Sequence, residues 1–356
     1  GVAVNLTGYI VSIPVFFDAA FVILVNLVKS LSRKGKIPFV SLVTALSVGL
    51  IVTHAMVIPT PGPIAVAGTM GVNIGWFLLY SIVVSLPASL VGGVLYGKYL
   101  GGKAEYVDDF ANAFDDIEEE EIQESADLPS GALGIFLIFL PIIIILIGTI
   151  ASMLLEPGTS AYIFFSFIGN KNIALLIGLL AAFFSLRRYV KDSFNDVVTE
   201  AATQSGIILA ITGAGGAFGA IINLTGIGEK LVGGMAGMTE GAGIAMIVAA
   251  FVISQVLRAA QGSTTVALVT TSAIFAPILA GMATVSPILV SLAICAGGIG
   301  LSLPNDSGFW VINRFSKFDV PGTIKVWTVG GTIAGLTALV ILVVLSMFTG
   351  VLPGLL

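Results

Sequence analysis

Long apolar runs, interrupted at intervals by Gly, Pro and short polar clusters, set the pattern of this chain. Several runs reach 18 or more residues, which is the length a helix needs to cross the hydrocarbon core of a bilayer. The pattern predicts full spans at roughly 37–68, 75–97, 131–155, 172–188, 201–226, 287–313 and 326–350. Two apolar segments do not read as simple spans. The first runs from Gly1 to Val28 and is broken at Ser12-Ile13-Pro14; the second runs from Gly241 to Ala276 and is broken at 258–265, RAAQGSTT. Each reads as a re-entrant hairpin, the second because a single crossing would put the uncharged loop at 276–287 on the wrong side; non-helical backbone at that depth is tolerated only when buried in protein or lining a wet cavity.

Charge fixes the orientation. Basic residues cluster at Lys29, Arg33, Lys34 and Lys36, at Arg187, Arg188 and Lys191, and at Arg314, Lys317 and Lys325. The positive-inside rule places these three loops in the cytoplasm. The loops at 68–75, 157–160 and 275–287 hold no Lys or Arg and are placed outside, as is the C-terminus. Of 20 acidic residues, 11 fall between Lys98 and Ser130, which reads as a solvated cytoplasmic loop with an amphipathic turn at 110–117. A regulatory or cation-attracting role for that loop is the rival reading.

Composition then narrows the class. Of the 356 residues 57% are hydrophobic and 10% charged, with a mean hydropathy of +1.08, where a soluble domain is about 25% charged. So few charges exclude a soluble enzyme, and 15 scattered Lys and Arg without a basic patch exclude a nucleic-acid-binding protein. The single cysteine, Cys295, excludes an intrachain disulfide and any Cys-based metal cage, and the single histidine, His54, excludes a multi-His centre. No cofactor is expected.

The two halves look alike. In each, a hairpin tip leads through an apolar arm and a loop into a span interrupted by Gly and Pro. Gly62 lies 44 positions after Asp18, and Gly308 lies 45 after Ser263. Gly75 and Gly322 follow 13 and 14 positions later and open the last helix of each half. The first arm's loop is basic and its counterpart uncharged, so the halves run in opposite orientation, a transporter signature. The expected division is 1–36, first hairpin; 37–97, first broken and closing helices; 98–130, acidic loop; 131–240, scaffold and connecting helices; 241–286, second hairpin; and 287–356, second broken and closing helices. Symmetric halves would also place two or three further helices, roughly 80–120 residues, ahead of Gly1.

Charges in hydrocarbon cost on the order of 2.5–3.5 kcal/mol each, so each needs a reason. Asp18, the one charge between Gly1 and Val28, is either a substrate or proton-carrying carboxylate or a cap on free backbone N–H groups at the tip. Arg258 is either the counter-charge of a substrate carboxylate or a structural partner of Asp306 and helix-end carbonyls. Asn305 and Asp306 sit where a span unwinds between Pro304 and Gly308; they serve ion or proton coupling and substrate, or cap a half-helix. Gly262, Ser263, Thr264 and Thr265 offer amides and hydroxyls to a polyol at the second tip, or simply bond their own preceding turn. His54 is either a satisfied buried imidazole or a proton-transfer group. The glycine run at 213–219 lacks glycine at 218, where Phe218 stands, and has no βαβ surroundings; it reads as close helix packing rather than a dinucleotide loop.

Five segments carry a family resemblance: VFFDAAFVILVNL, THAMVIPTPGPIAVAG, ITGAGGAFGAII, VLRAAQGSTTVALVTT and LPNDSGFWVINRF. In that order, across essentially the whole chain, they resemble the gluconate permease family of ion-coupled transporters. The resemblance implies an all-α polytopic membrane protein of the inverted-repeat elevator type, with two re-entrant hairpins and two discontinuous helices. It implies proton-driven uptake of gluconate or a related hydroxy-carboxylate across a bacterial inner membrane by a homodimer. Carried over to this sequence, Asp18, Gly262 to Thr265, His54, Thr60 to Gly62 and Asn305 to Gly308 would surround the substrate, Ser307 among them, with Asp18, His54 and Asp306 as proton carriers. Asp18 stands where relatives carry Glu, Gln261 where they tend to carry Leu and Ser307 where they tend to carry Pro, which leaves the particular acid open. Glycerate-like acids and D-serine are the neighbouring substrates. A sodium-coupled carrier is the main rival; an intramembrane enzyme lacks H-E-x-x-H and G-x-S-x-G patterns, and a channel would need no paired moving domain.

Overall fold

Among the described residues, the polar and Gly/Pro interruptions at 57–60, 262–263 and 298–306 are breaks between helices. The structure, a computed structural model, describes residues 1–13, 16–103, 129–190, 193–203, 242–280, 282 and 284–356, together with positions 206, 210, 221 and 224. Every element with defined bounds is helical. Among the described residues five helices are long and apolar enough to cross a membrane: Phe39–Thr69 (including its break), Ile74–Gly101, Gly131–Ala151, Gly243–Gln261 and Val320–Ser346. The expected span at 201–226, the glycine run at 213–219 and most of the loop at 98–130, including its expected amphipathic turn, lie outside the described residues.

The chain forms two compact units, one of residues 1–73, 80–116 and 211–356, the other of 74–79 and 117–210. In the first, α1 (Val2–Val11) and α2 (Phe17–Gly35) are the arms of the first segment, and α3 (Phe39–Met56) and α4 (Pro61–Thr69) the two parts of the first broken helix. The closing helix is α5 (Ile74–Ser89), a π-helical turn at Leu90–Leu95, and α6 (Tyr96–Gly101). In the second unit α7 (Gly131–Leu154), α8 (Ser160–Ile168) and α9 (Lys171–Leu186) pack on one another, with the backbones of Gly148 and Gly169 in contact, which only small residues allow. The helix at 160–168 occupies part of what reads in the sequence as connection. Exposed apolar side chains on these helices, such as Ile147, Leu154, Phe164 and Leu179, suit contact with lipid rather than water.

Back in the first unit, α10 (Ala242–Gln261) and α11 (Thr264–Leu279) are the arms of the second hairpin. The second broken helix is α12 (Pro287–Gly297) and α13 (Ser307–Ser316), and α14 (Val320–Thr323), a π-helical turn at Ile324–Val329 and α15 (Gly330–Ser346) close the half. The second break begins at 298, five residues before the predicted polar cluster at 303–308; at Gly298 and Gly300 an added Cβ would collide with the side chains of Leu268 and Gln255, so the chain passes these neighbours closely. The closing helix likewise starts at Val320 rather than 326, since Asp319 accepts from the Gly322 N–H (2.7 Å) and caps it.

The two halves share a packing device. In the first, α1 lies on α3, Asn5 Nδ2 donates to the Ala45 carbonyl (2.8 Å), and the Gly49 Cα faces the Asn5 carbonyl. In the second, α10 lies on α12, Ser254 Oγ donates to the Ile294 carbonyl (2.7 Å), and the Gly297 Cα faces the Phe251 carbonyl. Both polar bonds span 40 residues. Small residues on the broken helix let the neighbouring backbone approach, and a polar side chain then finds a carbonyl that hydrocarbon could not satisfy.

Candidate functional site

Helix ends deliver the site residues. Phe16 precedes α2 with no side-chain cap, so Asp18 in its first turn does not bond that helix's free N–H groups. Its Oδ2 accepts instead from Ser307 Oγ of α13 (3.3 Å). The capping alternative for Asp18 is therefore not what the structure contains. At the second tip, Gly262 adopts φ +67°, and a Cβ there would collide with the backbone of Asn305, so glycine is required on both counts. Ser263 caps α11 by accepting from the Val266 N–H (3.4 Å), and Thr264 Oγ1 donates to the Gly298 carbonyl (3.3 Å).

Arg258 ends up fully buried beside the second break. Its Nη2 donates to Asp306 Oδ2 (2.5 Å) and its Nε to the Gly298 carbonyl (3.2 Å), while Nη1 has no hydrogen-bond partner among the described residues. Asp306 is also the N-cap of α13, accepting from the Gly308 N–H through Oδ1 (3.1 Å), and it accepts from Ser302 Oγ. Trp327 Nε1 donates to Ser302 Oγ (2.5 Å), and the Trp327 ring lies 4.5 Å from that of Phe17. One polar network thus joins α10, the second break, α13 and the closing helix, and reaches the first hairpin through an aromatic contact.

A cavity of about 180 Å³ opens at this junction, lined by Asp18, His54, Arg258, Gly262 to Thr265 and Asp306 to Gly308, with Phe16, Phe17, Ile51 and Trp327 as its apolar walls. Its size suits a small metabolite rather than a drug-sized ligand, which needs about 300–1,000 Å³. N-terminal ends of three helices, α2, α11 and α13, border it. Each contributes roughly half a positive charge from unsatisfied N–H groups, which favours an anion. His54 is buried, its Nδ1 has no hydrogen-bond partner among the described residues, and its ring lies 6.0 Å from Phe16. Arg258 and Asp306 neutralise each other, so Asp18 is the lining carboxylate with no ion pair among the described residues. Among those residues no group of three or more His, Cys, Asp and Glu side chains could hold a metal.

Three predicted residues stand apart from the lining. Thr60 is buried and donates to the Val57 carbonyl (2.5 Å), and Gly62 packs against Leu268 and Thr265. Asn305 spends its amide on the carbonyls of Ala259 (2.8 Å) and Ala260 (3.2 Å), closing the end of α10. Sequence reasoning missed Ser302, Trp327 and Ile51. Nothing local distinguishes a tryptophan or an isoleucine inside an apolar helix, or a serine in the break between two; their role comes from which elements meet.

Broken helices that turn their ends toward a partly polar cavity in an otherwise apolar helical protein are the architecture of a membrane permease for a small solute. The chain belongs to the GntP permease family, whose description as GntP family permease matches residues 1–348. It is 32% identical over 353 residues to the inner membrane permease YgbN of Escherichia coli strain K12, covering 95% of this chain and 76% of that one. It is 31% identical over 338 residues to that strain's low-affinity gluconate transporter (94% and 74% covered) and 32% identical over 339 residues to its D-serine transporter DsdX (94% and 74% covered).

Proposed function

We propose that this permease is a secondary active transporter that takes up gluconate or a related small hydroxy-carboxylate together with protons across a bacterial inner membrane. The observation that carries the reading is Asp18, a carboxylate with no cation of its own among the described residues, in a cavity otherwise built to attract an anion. A substrate carboxylate a few ångströms from an ionised Asp18 would be repelled by roughly 4 kcal/mol at an effective dielectric of about 20. A proton on Asp18 removes that repulsion, so anion and proton load together, and release of the proton on the cytoplasmic side expels the anion. Ser307 holds the carboxyl in place, and Ser263, Thr264 and Thr265 meet the substrate hydroxyls. The matched packing of α1 on α3 and α10 on α12 supports inverted repeats, with the hairpins and broken helices moving as one transport domain past a fixed scaffold in a homodimer. The acidic loop 98–130 faces the cytoplasm and the C-terminus the outside in this reading.

The test is uptake of labelled gluconate into sodium-free proteoliposomes under an inward proton gradient. Saturable uptake that collapses with a protonophore is expected; equal uptake with and without the gradient would end the proton-coupled reading. A second reading follows from the 32% identity to a D-serine transporter. A zwitterionic substrate would bring its own ammonium to Asp18 and need no proton there, and sodium could serve the same charge balance. Competition by D-serine or glycerate, and sodium dependence at fixed pH, separate these readings.

A further inference from the structure

Five buried polar atoms lack a hydrogen-bond partner among the described residues: Thr53 Oγ1, His54 Nδ1, Gln255 Nε2, Arg258 Nη1 and Ser316 Oγ. Only His54 and Arg258 among these belong to residues that line the cavity. An unpaired N–H on a buried guanidinium is the most costly of the five, because charged donors lose the most on leaving water. A donor of that strength, buried at a cavity wall, calls for an acceptor that enters the cavity.

We infer that Arg258 is the substrate's carboxylate anchor, with Asp306 as the residue that positions it rather than a carrier of protons; the inference rests on the transport reading above. Arg258 is held at two of its three nitrogens, Nη2 by Asp306 and Nε by the Gly298 carbonyl. Asp306 is held in turn by Ser302 Oγ and the Gly308 N–H, and Ser302 by Trp327. The guanidinium is planar, so fixing those two nitrogens fixes the third. Nη1 is thereby held in one place, buried and without a hydrogen-bond partner among the described residues, on a residue that lines the cavity. Since Asp306 cancels one unit of charge, the guanidinium attracts a carboxylate through a directed hydrogen bond rather than a bare net charge, which selects acids over inorganic anions of other shape. The neighbouring ends of α11 and α13 add their dipoles on the same side.

The experiment pairs each acid with its carboxamide, which removes one negative charge in every case: gluconate with gluconamide, glycerate with glyceramide, and D-serine with D-serinamide. Binding to the intact purified protein is read from ligand-dependent thermal stabilisation at one pH and ionic strength. For at least one pair the wild type is expected to prefer the acid by about 10- to 100-fold, the range of a charge-assisted hydrogen bond. Arg258→Lys keeps the charge but loses the fork, and the preference falls about tenfold. Arg258→Gln leaves Asp306 buried without its partner and can fail to fold, so the decisive variant is Arg258→Gln with Asp306→Asn, which removes both charges at once. In that double variant the acid-to-amide ratio is expected to fall to about one while amide binding persists. A folded double variant that still prefers the acid as the wild type does overturns the inference and leaves the transport reading intact. A wild type that responds to none of the three acids overturns the transport reading and the anchor with it.

Discussion

At the residue scale the site is an exercise in which charges are already satisfied. Asp306 and Arg258 sit 2.5 Å apart and buried, so neither is free to respond to a proton gradient without leaving its partner exposed to apolar surroundings. Asp18 has the Ser307 hydroxyl at 3.3 Å. Replacing Asp18 by Asn should therefore abolish concentrative uptake driven by a proton gradient while leaving exchange of labelled for unlabelled substrate within about threefold of wild type; counterflow against net uptake measures the difference, using the 1.4 kcal/mol-per-tenfold scale for the residual binding change. Retained gradient-driven accumulation in that variant would remove Asp18 from the coupling step. Arg258→Ala alone should lower stability by about 3–5 kcal/mol, against a much smaller loss when Asp306→Ala is added, and thermal unfolding in detergent reads both.

At the element scale, stability depends on how closely helices approach. A Cβ at Gly92 would sit 2.7 Å from both the Ala334 Cβ and the Gly330 carbonyl, so Gly92→Ala must push the closing helices of the two halves apart. A loss of about 1–3 kcal/mol is expected from such overpacking. At Gly134, in α7, an added methyl would meet nothing within 4 Å, and Gly134→Ala should be neutral or stabilising by up to about 1 kcal/mol through helix propensity. Thermal midpoints of the two variants should move in opposite directions or differ clearly in size. The π-helical turn at Leu90–Leu95 has its own support: Asn5 Nδ2 donates to the Ser89 carbonyl (3.3 Å) and Ser89 Oγ donates to Asn5 Oδ1 (2.9 Å). That buried side chain satisfies backbone which a shifted hydrogen-bond ladder releases. Asn5→Leu should accordingly cost about 1–3 kcal/mol despite being more apolar, because it strands two carbonyls.

At the scale of the whole molecule, charge balance decides how transport couples to the membrane potential. With Arg258 and Asp306 cancelling, the proposed symport of one monoanion with one proton on Asp18 would move no net charge. Gluconate uptake driven by a proton gradient should then be insensitive to an imposed potassium diffusion potential. A strong dependence on an inside-negative potential would mean that more than one proton accompanies each anion, and His54, whose buried Nδ1 has no hydrogen-bond partner among the described residues, would be the next group to substitute. The cavity makes the same point about architecture: its lining comes from both hairpins, from Ile51 and His54 of α3, and from the second break and closing helix, so both halves of the chain build it.

The sequence by itself determined the membrane character, the helical class, which described spans are broken and the residues whose charge needs a reason. Those follow from local physics: an 18-residue apolar run, a Pro that cannot donate and an isolated Asp each carry their meaning in a short window. Only the tertiary structure decided which partner each charge takes. Asp306 and Arg258, 48 residues apart, proved to be partners, while Asp18 found Ser307 at a separation of 289. It also showed that Asn305 closes α10 instead of lining the cavity, and that Ser302 and Trp327 hold the ion pair. A side chain's partner depends on which helices pack face to face, and in a chain whose helices are apolar on nearly every side no periodicity records that choice.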